Sequence, residues 1–224
     1  MELTAIAAWL NTTFSGFDLA IFSVLHGLAE AAGWFFTPFF HLVSLFGEDG
    51  MGLLLVSVIL MLFKRTRKAG ICMFVAVACG AVITNLLLKN IIARPRPFAD
   101  EMGIVHAWWL SVGAPMERSA SFPSGHTTAT MAAMTALFLN MRSSARWLCF
   151  VPVLLMGASR NYLMVHYPSD VLGGIIAGAL GAVAAYFIVQ ALYRYFEAHK
   201  HERLSAFVLT YDIRARRSRR PTMP

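Results

Sequence analysis

Pro123-Ser124-Gly125-His126 stands at the end of a polar loop and directly before an apolar run that continues to residue 140. That junction sets the reading of the whole chain. Pro123 fits the turn before a helix start, and Ser124 is a residue type that caps helices. Ser124 and Gly125 then present backbone N–H groups that have no partner inside the helix. Such a helix start favours an anion, because the N–H groups and the macrodipole act together. His126 adds a group able to move protons near neutral pH. By itself the string also fits an ordinary capped helix with a solvated histidine, so other segments must decide.

Outward from this junction the chain is 58% hydrophobic and only 14% charged, against about 25% charged in an ordinary soluble domain. That balance reads as an integral membrane protein. The net charge of +7 comes from short basic clusters between apolar runs, so it points to membrane topology and not to nucleic acid. Cys72, Cys79 and Cys149 all lie inside apolar runs; they read as packing residues, without a disulfide framework or a metal site. No basic region precedes the first apolar run, which argues against a cleaved signal peptide.

Residues 1–17 look interfacial, with Ile6, Trp9, Leu10 and Phe14 at helical spacing. Six apolar segments follow, over 18–46, 51–63 with its flanks, 69–92, 124–140, 147–159 and 170–193. The first is the weakest, being interrupted by His26, Glu30, Pro38 and His41, to which no role is assigned. The fold expected is all-α: a polytopic six-span transmembrane helix bundle over 18–193, with a basic, partly disordered cytoplasmic tail over 194–224. Fourteen of the 19 Lys and Arg residues lie in loops 64–68 and 141–146 and in the tail. The positive-inside rule puts those segments in the cytoplasm. Lys89, Arg94, Arg96, Arg118 and Arg160 fall on the other side, with the loop that ends in Ser124. Gly173, Gly174, Gly178 and Gly181 read as close-packing positions, and Asn85 as an interhelical hydrogen-bond donor.

Charges in or beside spans are costly and tend to be functional. Lys89 lies near the outer end of the third span. Pro95 and Pro97 end that helix, so Arg96 reaches in from the loop. Taken alone, this pair also fits snorkelling to lipid phosphates. Ser159-Arg160, with His166 and Asp170 downstream, forms the third constellation. His166 and Asp170 are four apart, close if helical or joined by a capping turn. A carboxylate on one ring nitrogen fixes the tautomer and makes the other nitrogen more basic. The same pair also fits a metal ligand with its supporting carboxylate, but three cations at the same mouth oppose a metal ion. Three cations, one helix start, two histidines and an aspartate suit a phosphate undergoing nucleophilic displacement.

Lys89 with Arg96-Pro97, then Pro123-Ser124-Gly125-His126, then Ser159-Arg160 with His166 and Asp170 resembles the three-part signature of the type-2 phosphatidic acid phosphatase family. The likeness covers roughly residues 47–193. It implies that His166 is the nucleophile that forms a phosphohistidine, that Asp170 orients it, and that His126 protonates the leaving oxygen and then activates water. Lys89, Arg96, Arg160, Ser124 and the Gly125 N–H would cradle the phosphate. The family needs no metal and no cofactor. Its soluble relatives, the vanadium haloperoxidases, bind vanadate in the same type of pocket. The implied partner is a lipid phosphate in a bacterial-type plasma membrane, met at the extracytoplasmic mouth of the bundle. Of its small bacterial members, undecaprenyl diphosphate phosphatase is the reading preferred on site orientation; phosphatidylglycerophosphate or phosphatidic acid phosphatase is the alternative. A lipid transporter without turnover is the reading from another class, disfavoured because the charges sit at one mouth instead of the midplane. Nothing in the sequence sets the oligomeric state.

Two further features stay outside the signature. Trp108-Trp109, in the long loop 98–122, reads as an aromatic belt, with a lid beside the site as the second reading. The basic run Arg214 to Arg220 reads as a topology signal, with anionic-lipid binding as its alternative.

Overall fold

The computed structural model describes residues 3–214, and every regular element among them is helical. Helix α1, Ala5–Thr13, starts at Thr4, whose hydroxyl accepts from the Ala7 N–H. A break at Phe14 separates it from α2, Ser15–Phe46, so the first long helix begins inside the segment expected to be interfacial. Helix α2 bends at Ala32, whose φ of −148° leaves the helical region, and carries Pro38 in its second half. A proline and a broken hydrogen-bond ladder are ordinary causes of such a bend. The turn that follows uses Gly50 at φ +70°, a left-handed position that glycine takes at little cost.

Helix α3 spans Met51–Met61. Helix α4, Arg67–Ala81, runs into a π-helical stretch, Val82–Leu88, and then α5, Lys89–Ile92. Ala93 at φ +49° stops the run before Pro95. The long loop carries α6, Ile104–Ser111. Helices α7, Gly125–Asn140, α8, Phe150–Tyr162, and α9, Pro168–Ala198, complete the bundle. Among the described residues, three runs are long and apolar enough to cross a membrane: Ser15–Phe46, Arg67–Ala99 and Pro168–Ala198. The other expected spans correspond to α3, α7 and α8, which have 11, 16 and 13 residues. At about 1.5 Å per residue these are shorter than the roughly 30 Å hydrocarbon layer.

Helices α4, α7 and α9 pack against one another at the centre. Small residues allow this. A Cβ at Gly178 would stand 2.5 Å from the Thr128 carbonyl oxygen, and one at Gly174 would stand 2.8 Å from that of Ser124. The start of α9 is thereby drawn against the start of α7, a close approach that lipid-embedded helices gain only from small side chains. Asn85 does not bond across helices as expected. Its backbone carbonyl accepts from the Asn90 side chain within its own run, and the residue lines a cavity described below.

Two further expectations are corrected. Trp109 is buried in an apolar cluster with Phe22, Phe40 and Tyr162, stacks on Phe98 at 4.5 Å and donates its indole N–H to the Pro115 carbonyl. Trp108 stacks on His26 of α2. The pair therefore docks the loop onto the bundle and does not form a surface belt. The tail is ordered as far as it is described: α9 continues to Ala198, and α10, Arg203–Thr210, folds back. Buried Arg67 ties it down by donating to the carbonyls of Val208 and Tyr211. The basic run beyond Arg214 lies outside the described residues.

Candidate active site

A cavity of about 580 Å³ opens between α4–α5, the long loop, α7 and the α8–α9 turn. Lys89, Arg96, Gly125, His126 and His166 line it, together with Glu117 and Ser119 of the loop. The π-helical turns just before Lys89 widen the helix and reset its phase, a device common at functional sites. Lys89 Nζ donates to the Ser119 hydroxyl at 2.9 Å.

Arg96 comes from extended backbone after the helix has ended. It is almost fully buried. It donates to the carbonyls of Val165 and Ser119, each at 2.8 Å, and to the Ser119 hydroxyl. It also lies 2.9 Å from His166 Nε2 and 3.4 Å from a Glu117 carboxylate oxygen. As a guanidinium it is a cation at neutral pH.

Arg160 sits in the last turn of α8, where the sequence suggested a loop. There a cation also complements the helix dipole. Its guanidinium donates to Ser44 of α2 and to Glu117. It lines a smaller adjoining cavity, about 250 Å³, that shares His126 and Glu117 with the first. His126, in the first turn of α7, thus faces both spaces.

His166 follows a tight reversal in which Met164 takes φ +56°. Because the Arg96 guanidinium only donates, His166 Nε2 accepts and the ring proton resides on Nδ1. Nδ1 points at Asp170 Oδ2, 3.5 Å away, too long for a strong hydrogen bond. Burial, followed by the charges of Arg96, Arg160 and Lys89, holds the His166 pKa well below 6.5. The imidazole is therefore neutral at physiological pH, and its basic nitrogen Nε2 is held by Arg96 at the cavity wall.

Pro168 occupies the first turn of α9, and Asp170 completes that turn by accepting from the Tyr167 N–H at 2.9 Å. The His166 to Asp170 approach is thus a capping turn, not a continuous helix. Ser124 caps α7, its hydroxyl accepting from the Thr127 N–H and hydroxyl. Its own N–H donates to the Asp170 carbonyl at 3.0 Å. It therefore couples α7 to α9 from behind the cavity, and its N–H is not available to a bound anion; Gly125 is the residue of the motif that reaches the lining.

Sequence reasoning gave no role to Arg94, Asp18, Ser121 and Glu117. Arg94 is 1% exposed and pairs with Asp170 at 2.6 Å and with Asp18 at 3.1 Å. It also donates to Ser169 and Asn11 and lies 3.8 Å over the Tyr167 ring. Ser121 donates to Asp170 Oδ2 at 2.5 Å. Asp170 is consequently held on three sides while it faces His166. Removing one partner of such a buried pair typically costs about 3–5 kcal/mol, because the other charge is stranded. Among the described residues, no group of three or more His, Cys, Asp or Glu side chains stands close enough to hold a metal ion.

All-helical packing, three separated motifs meeting at one cavity, and a cationic lining with two histidines define a phosphate-processing membrane-protein class. A model of the PAP2 superfamily matches residues 69–194. The chain is 37% identical over 147 residues to a decaprenylphosphoryl-5-phosphoribose phosphatase of Mycobacterium tuberculosis, covering 63% of this chain and 74% of that protein. It is 29% identical over 160 residues to the undecaprenyl-diphosphatase BcrC of Bacillus subtilis, covering 71% of this chain and 78% of that one. The fold is similar to the crystal structure of a transmembrane PAP2 type phosphatidylglycerolphosphate phosphatase from Bacillus subtilis. That match has a TM-score of 0.60 and 23% identity, covering 88% of this chain and 92% of the other. The chain belongs to the PAP2 superfamily, the type-2 phosphatidic acid phosphatase family that its motifs resemble.

Proposed function

We propose that this protein is a metal-independent lipid phosphatase that works through a phosphohistidine at His166, with a polyprenyl diphosphate as its substrate. The observation that carries this reading is the shared cavity: two histidines and two cations from three separate motifs line one space. In the first step the incoming phosphate draws Arg96 off His166 Nε2, and the freed lone pair attacks phosphorus, forming a P–N bond as the bond to the leaving oxygen breaks. His126 gives that oxygen its proton. In the second step His126 takes a proton from water, whose oxygen replaces the imidazole on phosphorus and releases inorganic phosphate. Asp170 keeps the His166 proton on Nδ1 and stabilises the charge that grows there. Lys89, Arg96, Arg160 and the start of α7 neutralise the phosphoryl oxygens; Ser124 serves by fixing that helix start.

An apolar cavity of about 460 Å³, lined by Leu42, Phe46, Leu53, Met134 and Met156, supports a lipid substrate. Gly47, on the wall of the catalytic space, packs against Met156 of this cavity, whose Cε would collide with a Cβ there. The polyprenyl-linked substrates named for two relatives favour a polyprenyl chain; phosphatidylglycerophosphate is the alternative. We further propose six membrane crossings over 18–193, an interfacial segment over 1–17 and a cytoplasmic tail over 194–224. The Lys and Arg distribution then puts the cavity at the extracytoplasmic surface of a cell membrane.

The test is phosphate release from a panel of lipid phosphates and diphosphates in EDTA. Activity persists there, is highest by kcat/KM on the polyprenyl diphosphate, and is abolished by His166→Ala. Loss of activity in EDTA, or turnover by His166→Ala, contradicts the mechanism.

A further inference from the structure

The three cations assigned to the phosphate share one feature: each bonds to the loop segment 117–119. Lys89 and Arg96 both donate to the Ser119 hydroxyl, at 2.9 and 3.1 Å. Arg96 also lies 3.4 Å from one Glu117 oxygen, and Arg160 pairs with the other. The Glu117 carboxylate bridges the two arginines with its two oxygens, in the way that two non-bridging oxygens of a phosphate would. It lines both cavities, and its side chain is 23% exposed, so it can leave towards solvent.

Resting on the reading of this cavity as the phosphate site, we propose that Glu117 is an internal anion that competes with phosphate for Arg96 and Arg160. A bound phosphate and the carboxylate claim the same donors, and two anions in contact repel. Competition weakens every phosphate by a similar factor. A lipid substrate offsets that loss with contacts made by its chain, whereas inorganic phosphate has no chain. Glu117 therefore limits how far free phosphate occupies the site and speeds release of the product, a step that often limits turnover.

Glu117→Gln keeps the size but removes the charge and leaves one acceptor oxygen in place of two. The measurement is inhibition of the purified full-length enzyme by inorganic phosphate, with a lipid diphosphate as substrate. The inhibition constant falls about tenfold in Glu117→Gln, the size of effect that follows from loss of about 1.4 kcal/mol of competing charge, and KM for the lipid falls with it. Glu117→Asp, which keeps the charge, stays near wild type. An unchanged constant overturns the proposal. So does a raised one, which would mean that Glu117 merely holds the arginines in place. Binding can be read without chemistry as the rise in Tm caused by phosphate, larger in Glu117→Gln than in wild type; an equal or smaller rise overturns the proposal. His166→Ala separates the two ideas: if that variant turns over, the site reading fails, whereas a dead His166→Ala beside unchanged phosphate affinity in Glu117→Gln refutes the competition alone.

Discussion

Two arginines at opposite ends of one helical run are equally buried and are used in opposite ways. Arg67, at the start of α4, and Arg96, just past α5, are each 6% exposed. Arg67 donates to the carbonyls of Met61, Val208 and Tyr211 and lies over the Tyr211 ring. All of those acceptors are fixed backbone. Arg96 also satisfies two carbonyls, but its remaining donors meet His166, Ser119 and Glu117 at the wall of a cavity. Burial of a charge does not by itself mark function. What separates a clamp from a catalytic group is whether its partners can exchange for a substrate.

The largest effect is expected at the cavity. Asp170→Asn removes the charge that opposes the growing imidazolium, and kcat falls by roughly 10³-fold or more, in the range seen when a histidine loses its carboxylate. KM changes little and the protein stays folded by circular dichroism; wild-type turnover would refute the role. Replacing Arg94, which reaches the phosphate only through Asp170, should separate positioning from binding. Arg94→Lys lowers kcat by about tenfold or more while KM holds, because a single ammonium cannot reproduce the fork between Asp18 and Asp170. A rise in KM with kcat intact would place Arg94 on the substrate instead.

A smaller effect concerns pH. With neutral imidazole as the proposed nucleophile, activity is expected to fall as pH drops through the His166 pKa. With that pKa held well below 6.5, the acid limb of kcat/KM lies below 6.5 in wild type. Arg96 is the largest charge contribution after burial, and Arg96→Gln moves the limb of the residual activity upward. Substrate ionisation is common to both enzymes, so the displacement reports on the protein. A limb that stays put or moves down contradicts the assigned contact. The smallest catalytic effect is expected at the far end. Arg67→Met leaves kcat and KM within about twofold but lowers Tm, since each stranded buried carbonyl costs about 1–3 kcal/mol. A large loss of activity at a temperature where the variant is folded would erase the distinction between the two arginines.

The motifs assigned to catalysis were legible because their chemistry is dense and their order along the chain is fixed. Lys89, Arg96, His126 and His166 reach one cavity as that order implies. The supporting groups carried no such signal. Asp18 lies in the weakest apolar stretch and meets Ser169 and Arg94 across 151 and 76 positions. No spacing rule spans that distance. Arg94 was visible only as one of the basic residues on the outer side, and Glu117 only as part of a long loop. Helix ends shifted where local rules met tertiary contacts: Arg160 was absorbed into α8 by its bonds to Ser44 and Glu117. A tail rich in charge reads as solvated, yet α10 is docked by Arg67 at the start of α4, 141 positions before the Val208 carbonyl it holds.

The central claim is that His166 carries the phosphoryl group. It is tested most directly by acid-quenching the enzyme during turnover of a substrate labelled with ³²P in the transferred phosphate. Acid-labile label is expected on the peptide containing His166 and is absent from His166→Ala. An enzyme that turns over in the same reaction without any label on the protein, or with label on His126, would contradict it.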